Sequence, residues 1–355
     1  MMKKYTLQLS LFVCLLITTT NLRAQDANFS MFYNNPTYYN PGMTAIGNGF
    51  TFRTNARSLW TPIPSKFNTV SVSLEAEAVN KIGFGLQAYS DVAGEGSLRT
   101  TGANLAYMYR PLESKNALLQ IGFSGGLVNK YIDWSKLTFS DQLDEVHGNV
   151  RESAFSNPNF RNVSYADFAA GLAFKFNRQK KKSGGLKRKI TGTFGAGFHH
   201  LTQPKDAFLG DKERLPIKSV GHGTISFLID NVIFSPAFIY ERQNQFQTFT
   251  IGMNVIKKPF YAGIWFRNRS YLLLPRRYDS FIMSVGAHIP HKKLTTYRIG
   301  YSFDMTISRL KSASIGTHEI SLIIDYDNRV LFQKMKNKKS LRNKYKCPED
   351  FKGFD

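Results

Sequence analysis

Apolar and polar residues alternate along much of this sequence, and no other feature constrains its fold as strongly. In the segment 69–77 the apolar residues are Val70, Val72, Leu74 and Ala76, and the polar residues between them are Ser71, Ser73, Glu75 and Glu77. Successive side chains of a β-strand point to opposite faces, so this segment predicts a strand with one apolar and one polar face. The same alternation recurs in 82–89 and in 318–326.

About fourteen such segments follow one another, most of them about nine to fourteen residues long. Strands of soluble proteins are usually shorter, whereas a tilted strand needs about this length to cross a bilayer. The pattern therefore predicts an all-β fold, an antiparallel transmembrane β-barrel of about 14 strands. The predicted strands are 49–61, 66–78, 81–91, 98–111, 116–130, 164–177, 190–198, 219–229, 231–241, 244–256, 259–269, 276–289, 294–305 and 316–327. A pair of soluble β-sandwiches also gives alternating strands, but long strands with charged polar faces favour the barrel.

The two ends of the chain differ from the alternating region. Residues 1–24 have the pattern of a secretory signal peptide, in which basic residues precede an apolar core too short to span a membrane. Residues 25–48 are predicted to form an extended, irregular N-terminal segment, because two Asn-Pro pairs restrict the backbone. This segment is expected either to plug the lumen or to lie along the base of the barrel. Residues 49–327 then form the outer-membrane barrel, and residues 328–355 form a basic C-terminal tail.

The lengths of the connections predict an orientation. If the first strand runs outward, most periplasmic connections are short, and the longest connections, 131–163 and 199–218, lie on the outer side. Short periplasmic turns and long outer loops are typical of bacterial outer-membrane barrels. An even number of strands then places both the N-terminus and the C-terminal tail in the periplasm. The basic segment 178–189 is an exception, since it is long for a periplasmic turn.

Charged residues lie on the polar faces of the predicted strands, which in a barrel face the lumen. A buried charge needs a partner, so these residues are expected to form a paired or hydrated network that narrows the pore. The candidates for this network are Arg53, Arg57, Glu75, Glu77, Arg110, Arg298 and Glu319, and Arg267 and Asp304 lie on the same faces. For Glu319 the expected partner is a lumen arginine.

No arrangement of residues in the sequence predicts catalysis, a metal site or a cofactor. His199 and His200 are adjacent, and adjacent residues of a strand point apart, so they are interpreted as a solvated pair and not as metal ligands. The acidic run 141–145 lacks the spacing of a calcium-binding loop. The expectation is therefore a protein that is not an enzyme and that carries no cofactor.

The chain is strongly basic, with a formal net charge of +22 at pH 7. Such a charge is compatible with nucleic-acid binding, but much of it is concentrated in the segment 178–189 and in the tail after residue 329. These two segments are either solvated polar regions or docking surfaces for an acidic partner or a membrane surface. No nucleic-acid partner is expected.

Motifs at both ends of the chain resemble one known family. Two Asn-Pro pairs flank two tyrosines in 35–41, a Gly-Thr-His-Glu sequence occupies 316–319, and Cys-Pro-Glu-Asp-Phe occupies 347–351. Together they resemble the PorP/SprF family, although the last motif has one residue more between Pro and Phe than the family pattern. The resemblance implies an outer-membrane barrel of the type IX secretion system of Bacteroidota.

The resemblance also implies partners. Characterised members of the family belong to the secretion and gliding machinery, or deliver and hold a surface adhesin through its C-terminal sorting domain. The implied partners are the C-terminal domain of a secreted cargo, periplasmic or outer-membrane machinery components, and outer-membrane lipid. The motif residues that are candidates for partner contact are Asn35, Pro36, Asn40, Pro41, Gly316, Thr317, His318, Glu319, Cys347, Pro348 and Phe351. The alternatives are an outer-membrane transporter or channel for small or hydrophobic solutes and, from another class, a secreted binder of nucleic acid or polysaccharide.

Overall fold

The computed structural model of the chain consists almost entirely of antiparallel strands. It describes residues 26–47, 49–60, 67–79, 81–94, 98–114, 116–144, 147–149, 152–154, 161–181, 187–206, 214–229, 231–270, 278–291, 295–307 and 316–326. The strands, numbered in chain order, are β1 (Phe50–Leu59), β2 (Phe67–Val79), β3 (Ile82–Ala93), β4 (Leu98–Glu113), β5 (Ala117–Tyr131), β6 (Leu143–Asp144), β7 (Gly148–Asn149), β8 (Asn162–Lys181), β9 (Lys187–His199), β10 (Lys218–Ile229), β11 (Val232–Gln243), β12 (Phe246–Lys257), β13 (Phe260–Asn268), β14 (Tyr278–His291), β15 (Thr295–Thr306) and β16 (Thr317–Tyr326). None of the described helices is long and apolar enough to cross a membrane.

Fourteen of these strands close into one barrel, and each of the fourteen predicted segments overlaps one of them. Neighbours in sequence pair along the barrel, and β1 pairs with β16 to close it. The two-residue strands β6 and β7 form a separate hairpin in the loop between β5 and β8. The prediction of a 14-stranded antiparallel barrel is therefore confirmed. The predicted signal peptide and basic tail lie outside the described residues.

The outer wall of the barrel is apolar. Leu105, Leu127 and Phe260, on three different strands, are 69%, 70% and 68% exposed. Soluble monomeric proteins rarely expose a continuous apolar surface of this kind. Along each strand such residues alternate with buried, mostly polar residues that point inward. This arrangement is that of a barrel whose outer wall faces lipid.

The two ends of the barrel have connections of different length. At one end, which we call the short-turn end, the connections are brief, as in 80–81 and 230–231, and both the start of β1 and the end of β16 lie there. At the opposite end, which we call the long-loop end, the connections include 132–161 and 200–217. The predicted difference in connection length is thus present.

Residues 26–47, which we call the plug segment, lie inside the barrel. Apart from its first residues, Tyr38 and its last residue, the plug segment is buried. The expectation of an extended segment is wrong, because the chain forms a 3₁₀ turn, a short α-helix (Pro36–Tyr39) and a second 3₁₀ turn (Pro41–Met43). Both prolines begin a helical turn, where the missing N–H has no intrahelical partner to lose and φ is already suitable. Compact turns widen the segment, so it fills the lumen instead of threading it.

The plug segment enters the lumen at the long-loop end. The backbone N–H of Asp26 donates to Gln243, the last residue of β11, at 3.2 Å. From there the plug segment descends to the short-turn end, where β1 begins. Asp26 and Tyr326 therefore lie at opposite ends of the barrel, and the periplasmic placement of both termini stays a prediction.

Candidate functional site

The lumen and the plug segment within it form the candidate functional site, and Glu319 holds the start of the plug segment. Its side chain, on β16, is fully buried. Its carboxylate accepts hydrogen bonds from the backbone N–H groups of Ser30 at 2.5 Å and Met31 at 3.2 Å. The expected partner was a lumen arginine, and the structure shows backbone donors instead, because the plug segment lies closer to this carboxylate than an arginine does.

Asp304 on β15 is the centre of the arginine cluster. Its carboxylate accepts hydrogen bonds from Arg267 at 3.0 Å and from Arg57 at 3.4 Å, and from the hydroxyl of Ser30 at 2.5 Å. Arg57 also donates to the backbone carbonyl and the side chain of Asn28 in the plug segment. Two arginines and one carboxylate on the wall therefore hold the same short stretch of the plug segment, around Asn28 and Ser30.

Glu75 on β2 makes a second anchor deeper in the lumen. It accepts a hydrogen bond from the hydroxyl of Thr37 at 2.7 Å, from the backbone N–H of Ala45 at 3.1 Å and from Arg53 at 3.2 Å. The carboxylate thus links both the middle and the end of the plug segment to the wall. Its charge is compensated by the adjacent guanidinium, as a buried ion requires.

The remaining lumen candidates form ion pairs near the short-turn end, either with each other or with another wall residue. Arg110 lies 3.8 Å from Glu77, and Arg298 lies 2.7 Å from Asp325. All seven candidate residues are buried inside the barrel.

On the opposite side of the lumen, the plug segment packs against a cluster of aromatic and aliphatic side chains. Phe32 meets the ring of Trp265 edge-on, with ring centroids 5.3 Å apart, and Tyr33 stacks on the same indole at 5.1 Å. The wall residues of this cluster belong to β10 through β14 and are Val220, Ile233, Ala237, Ile239, Ile256, Tyr261, Trp265 and Ile282. The plug segment therefore has one polar and one apolar side, like the lumen around it.

The second Asn-Pro pair packs against wall glycines. Asn40 is fully buried, and its side chain donates to the carbonyl of Leu172 at 2.8 Å. A Cβ atom on Gly122 would lie 2.1 Å from the carbonyl oxygen of Pro41, and a Cβ atom on Gly171 would lie 2.0 Å from Oδ1 of Asn40. Only glycine leaves room for the plug backbone at these two positions.

His200 closes the mouth of the lumen at the long-loop end. Beyond the end of β9, its ring lies 2.8 Å from the carboxylate of Asp26 and 3.0 Å from that of Asp167. Burial by itself lowers the pKa of His200, but the charge of Asp26 and the hydrogen bond with Asp167 raise this pKa to about 9. Burial by itself raises the pKa of Asp26, yet the charge of His200 lowers it below its ordinary value.

The interpretation of the two histidines as a solvated pair is wrong. His200 is buried between two carboxylates, and Nε2 of His199 lies 2.9 Å from the backbone carbonyl of Tyr39. Both rings contact the plug segment, because that segment packs against this edge of the barrel. Within the described residues, no group of three or more His, Cys, Asp or Glu side chains is arranged to hold a metal ion.

Beside this mouth lies a cavity of about 150 Å³, which we call the vestibule cavity. The plug segment contributes Asp26, Ala27, Thr37 and Tyr38 to it, and the wall contributes residues of β3, β4, β5, β8, β9 and β10. Its lining includes Tyr38, Gln87, Tyr89, Asp91, Asn104 and Tyr165.

Comparison with known proteins identifies the family. Residues 21–324 match the sequence profile of the family described as type IX secretion system membrane protein PorP/SprF. The chain belongs to the PorP/SprF family. The fold and the family together make this protein an outer-membrane β-barrel of that secretion system. No curated protein sequence matches the chain.

Solved structures similar to this PorP/SprF protein are distant. The toluene transporter TbuX of Ralstonia pickettii is 10% identical, with 82% of this chain and 92% of that chain covered and a TM-score of 0.42. A FadL homologue of Pseudomonas aeruginosa is 11% identical, covering 83% and 94%, with a TM-score of 0.39. CdiB from Acinetobacter baumannii is 8% identical, with 78% of this chain and 60% of that chain covered and a TM-score of 0.39. These likenesses are too loose to carry an argument about function.

The family motifs of this PorP/SprF chain fall mainly inside the barrel. Asn35, Pro36, Asn40 and Pro41 are buried in the plug segment, so their contacts are with the wall. Gly316 has φ +116°, a conformation that favours glycine, and its carbonyl accepts the N–H of Trp60 at 3.1 Å. Thr317 is buried, whereas His318 lies on the outer wall, where Nδ1 is 2.8 Å from the hydroxyl of Tyr301. Cys347, Pro348 and Phe351 lie outside the described residues.

Sequence reasoning missed the residues that receive the plug segment. Ser71 and Ser321 bond to Asn35 and Asn34 at 3.0 and 2.7 Å, and neither serine differs in pattern from an ordinary lumen residue. The glycines on the polar faces of β5 and β8 did carry a signal. Small residues at inward-facing positions of strands mark places where another backbone comes close.

Proposed function

We propose that this PorP/SprF protein is a closed assembly barrel that holds protein partners at its two ends and conducts no solute. At the long-loop end it receives the C-terminal domain of an exported cargo adhesin, which it helps to deliver or anchor. At the short-turn end it docks to periplasmic or outer-membrane components of the type IX secretion or gliding apparatus. This role requires no catalysis and no cofactor.

The plug segment is the observation that carries the proposal. It occupies the lumen and bonds to Glu319, Asp304 and Glu75 on three strands of the wall. A solute that crossed the barrel would have to displace these buried hydrogen bonds, and leaving a buried carboxylate without its donors is costly. The proposal therefore favours binding at the ends over passage through the middle.

The orientation follows from the connections. Long loops of bacterial barrels face outward, so the long-loop end is proposed to be extracellular and the short-turn end periplasmic. The chain leaves the barrel at Tyr326, on the short-turn end, and the β8–β9 connection within the basic segment 178–189 lies at the same end. Clustered basic residues accelerate encounter with acidic surfaces. Both basic segments would thus face the machinery.

Affinity purification from detergent-solubilised outer membrane, followed by mass spectrometry, tests the two-ended role. Two variants are compared with the intact protein: one truncated after Asp327, and one in which residues 145–156 of the longest loop are replaced by a short Gly-Ser linker. The truncation is expected to lose machinery components at an unchanged barrel level, and the loop variant is expected to lose the exported partner. If both variants retained every partner, the role assigned to the two ends would be wrong.

Conductance in planar bilayers separates the assembly barrel from a transporter. The intact protein is expected to show no stepwise conductance, because the lumen is filled. A stable open conductance of the intact barrel would favour the alternative, an outer-membrane channel for small solutes.

A further inference from the structure

The charges around the vestibule cavity are paired with one exception. Lys130 lies 2.6 Å from Asp206, and Lys218 lies 3.1 Å from Glu241. His200 lies between Asp26 and Asp167, as described above. The exception is the carboxylate of Asp91 on β3.

Asp91 accepts one hydrogen bond, from the hydroxyl of Thr69 at 2.6 Å. Among the residues that the structure describes, no lysine, arginine or histidine pairs with it. A carboxylate that is largely removed from water and has no counter-ion is unfavourable unless a cation arrives from outside. The cavity therefore has a local negative charge inside a strongly basic protein.

Two side-chain amides that line the cavity also have an atom without a hydrogen-bond partner. Gln87 is only 7% exposed, and its Nε2 has no hydrogen-bond partner. The Oδ1 atom of Asn104, its neighbour across the β3–β4 pair, has no partner either. Buried polar atoms are nearly always bonded, so these two atoms leave one donor and one acceptor that a ligand in the cavity can complete. A ligand that completed both would supply an acceptor and a donor.

Three of the residues that line the cavity are tyrosines. Tyr38, Tyr89 and Tyr165 line it, and the rings of Tyr38 and Tyr89 meet edge-on with centroids 5.9 Å apart. The faces of aromatic rings attract cations, arginine most often. Rings, a lone carboxylate and an amide oxygen together suit a guanidinium or an ammonium group on an apolar stem.

We propose that the vestibule cavity binds one basic side chain, an arginine or a lysine, presented by a protein that docks at the long-loop end. Asp91 is its counter-ion, Oδ1 of Asn104 accepts from the same cationic group, and Nε2 of Gln87 donates to a backbone carbonyl of the inserted peptide. The tyrosine rings enclose the stem. The source of the peptide rests on the docking role proposed above, whereas the chemistry of the cavity does not.

Binding of short peptides to the purified full-length barrel in detergent tests this directly. The probes are acetyl-Gly-Arg-Gly-amide and the same peptide with citrulline, which has nearly the shape of arginine without its charge. Calorimetry is expected to show the arginine peptide binding at least about tenfold more tightly, since a charge-assisted hydrogen bond is worth about that factor. Equal affinity of the two peptides would overturn the proposal.

Variants test whether the preference for the arginine peptide arises at Asp91. Asp91→Asn is expected to abolish the preference for arginine, while Asp91→Glu retains part of it. Asp133→Asn, which removes a carboxylate from the loop after β5 at the same end, is the matched control and should leave the preference unchanged. Heat-modifiable migration in gels verifies that each barrel is folded. A preference that survives in Asp91→Asn would place the binding elsewhere and sink the assignment.

Two further outcomes are decisive. If maltose competes with the peptides and arginine has no advantage over citrulline, the cavity is a saccharide site and the proposal is wrong. The peptide assay is independent of the cargo, so an arginine preference that depends on Asp91 supports the cavity even if no exported partner co-purifies. Conversely, if a partner co-purifies but the barrel shows no preference for arginine, the docking role stands and the proposal for the cavity is wrong.

Discussion

The two sides of the lumen hold the same plug segment by different means. On the side of β1, β2, β15 and β16, carboxylates such as Glu75 and Glu319 receive its backbone N–H groups and its hydroxyls. On the side of β10 to β14, its aromatic rings pack on an apolar wall around Trp265. The contacts on the first side are mainly hydrogen bonds, which depend on direction, whereas those on the second side are mainly packing contacts, which do not.

This difference indicates a division of labour. Burial of aromatic and aliphatic surface provides most of the favourable free energy and depends little on position. Buried charges contribute little net stability once their desolvation is counted, but they tolerate few alternative arrangements. We infer that the apolar wall retains the plug segment and that the charged wall sets its register.

The largest expected effect comes from the apolar wall. Trp265→Ala removes a buried indole against which Phe32 and Tyr33 pack, and such truncations cost about 3–5 kcal/mol. Denaturant unfolding in detergent micelles should show this loss. Phe260→Ala, on the same strand but on the outer wall, is the control and should cost clearly less. Equal losses would mean that the apolar wall does not retain the plug segment.

The mouth of the lumen is expected to respond to pH. The pKa of His200 is raised from its ordinary value near 6.5 to about 9, so the charged ring stabilises the folded state. This contribution is complete below pH 6.5, is lost as the pH rises through about 9, and is on the order of 3 kcal/mol.

A spin label on Ala27→Cys in a Cys347→Ser background reports on the start of the plug segment. Its mobility should increase between pH 7 and pH 10 in the parent protein. In His200→Gln the label should already be mobile at pH 7 and change little. A parent label that stays immobile at pH 10 would show that the histidine does not fasten this end.

An intermediate effect is expected on the charged wall. Glu75→Gln keeps the shape of the side chain but leaves Arg53 without its counter-ion, which should cost about 2 kcal/mol. Adding Arg53→Gln should recover part of that loss, because a buried pair removed together costs less than either half alone. Denaturant midpoints of the two single variants and the double variant test this. A double variant as unstable as the sum of the singles would contradict the inferred role of the pair.

The sequence predicted the barrel well because lipid and lumen impose opposite preferences on alternate residues. Along β2, for example, Val70 and Leu74 are exposed on the outer wall while Ser71 and Ser73 are buried in the lumen. Each strand obeys this rule by itself, so the strand positions could be found without knowing which strands pair. The assignment of Arg53 and Glu75 to the lumen followed from the same rule.

The plug segment could not be predicted by that rule. Its residues contact many strands at once, so neither a period of two nor a helical period appears in 26–47. Its direction through the lumen depends on contacts hundreds of residues apart, such as that of Ser30 with Glu319. The partners of His200 were missed for the same reason. Local sequence patterns determine the strands, whereas the conformation of the plug segment depends on surfaces that exist only once the barrel has closed.

The smallest expected effect separates a carboxylate that holds the fold from one that is proposed to serve a ligand. Within the described part of the chain, Asp91 bonds only to Thr69 and contacts no backbone N–H of the plug segment, so Asp91→Asn should change the free energy of unfolding by less than about 0.5 kcal/mol. An amide oxygen still accepts from the threonine hydroxyl, which keeps the one contact that the side chain makes. Denaturant unfolding beside Glu75→Gln provides the comparison under identical conditions. If Asp91→Asn destabilised the barrel as much as Glu75→Gln does, Asp91 would belong to the charged wall that sets the register of the plug segment.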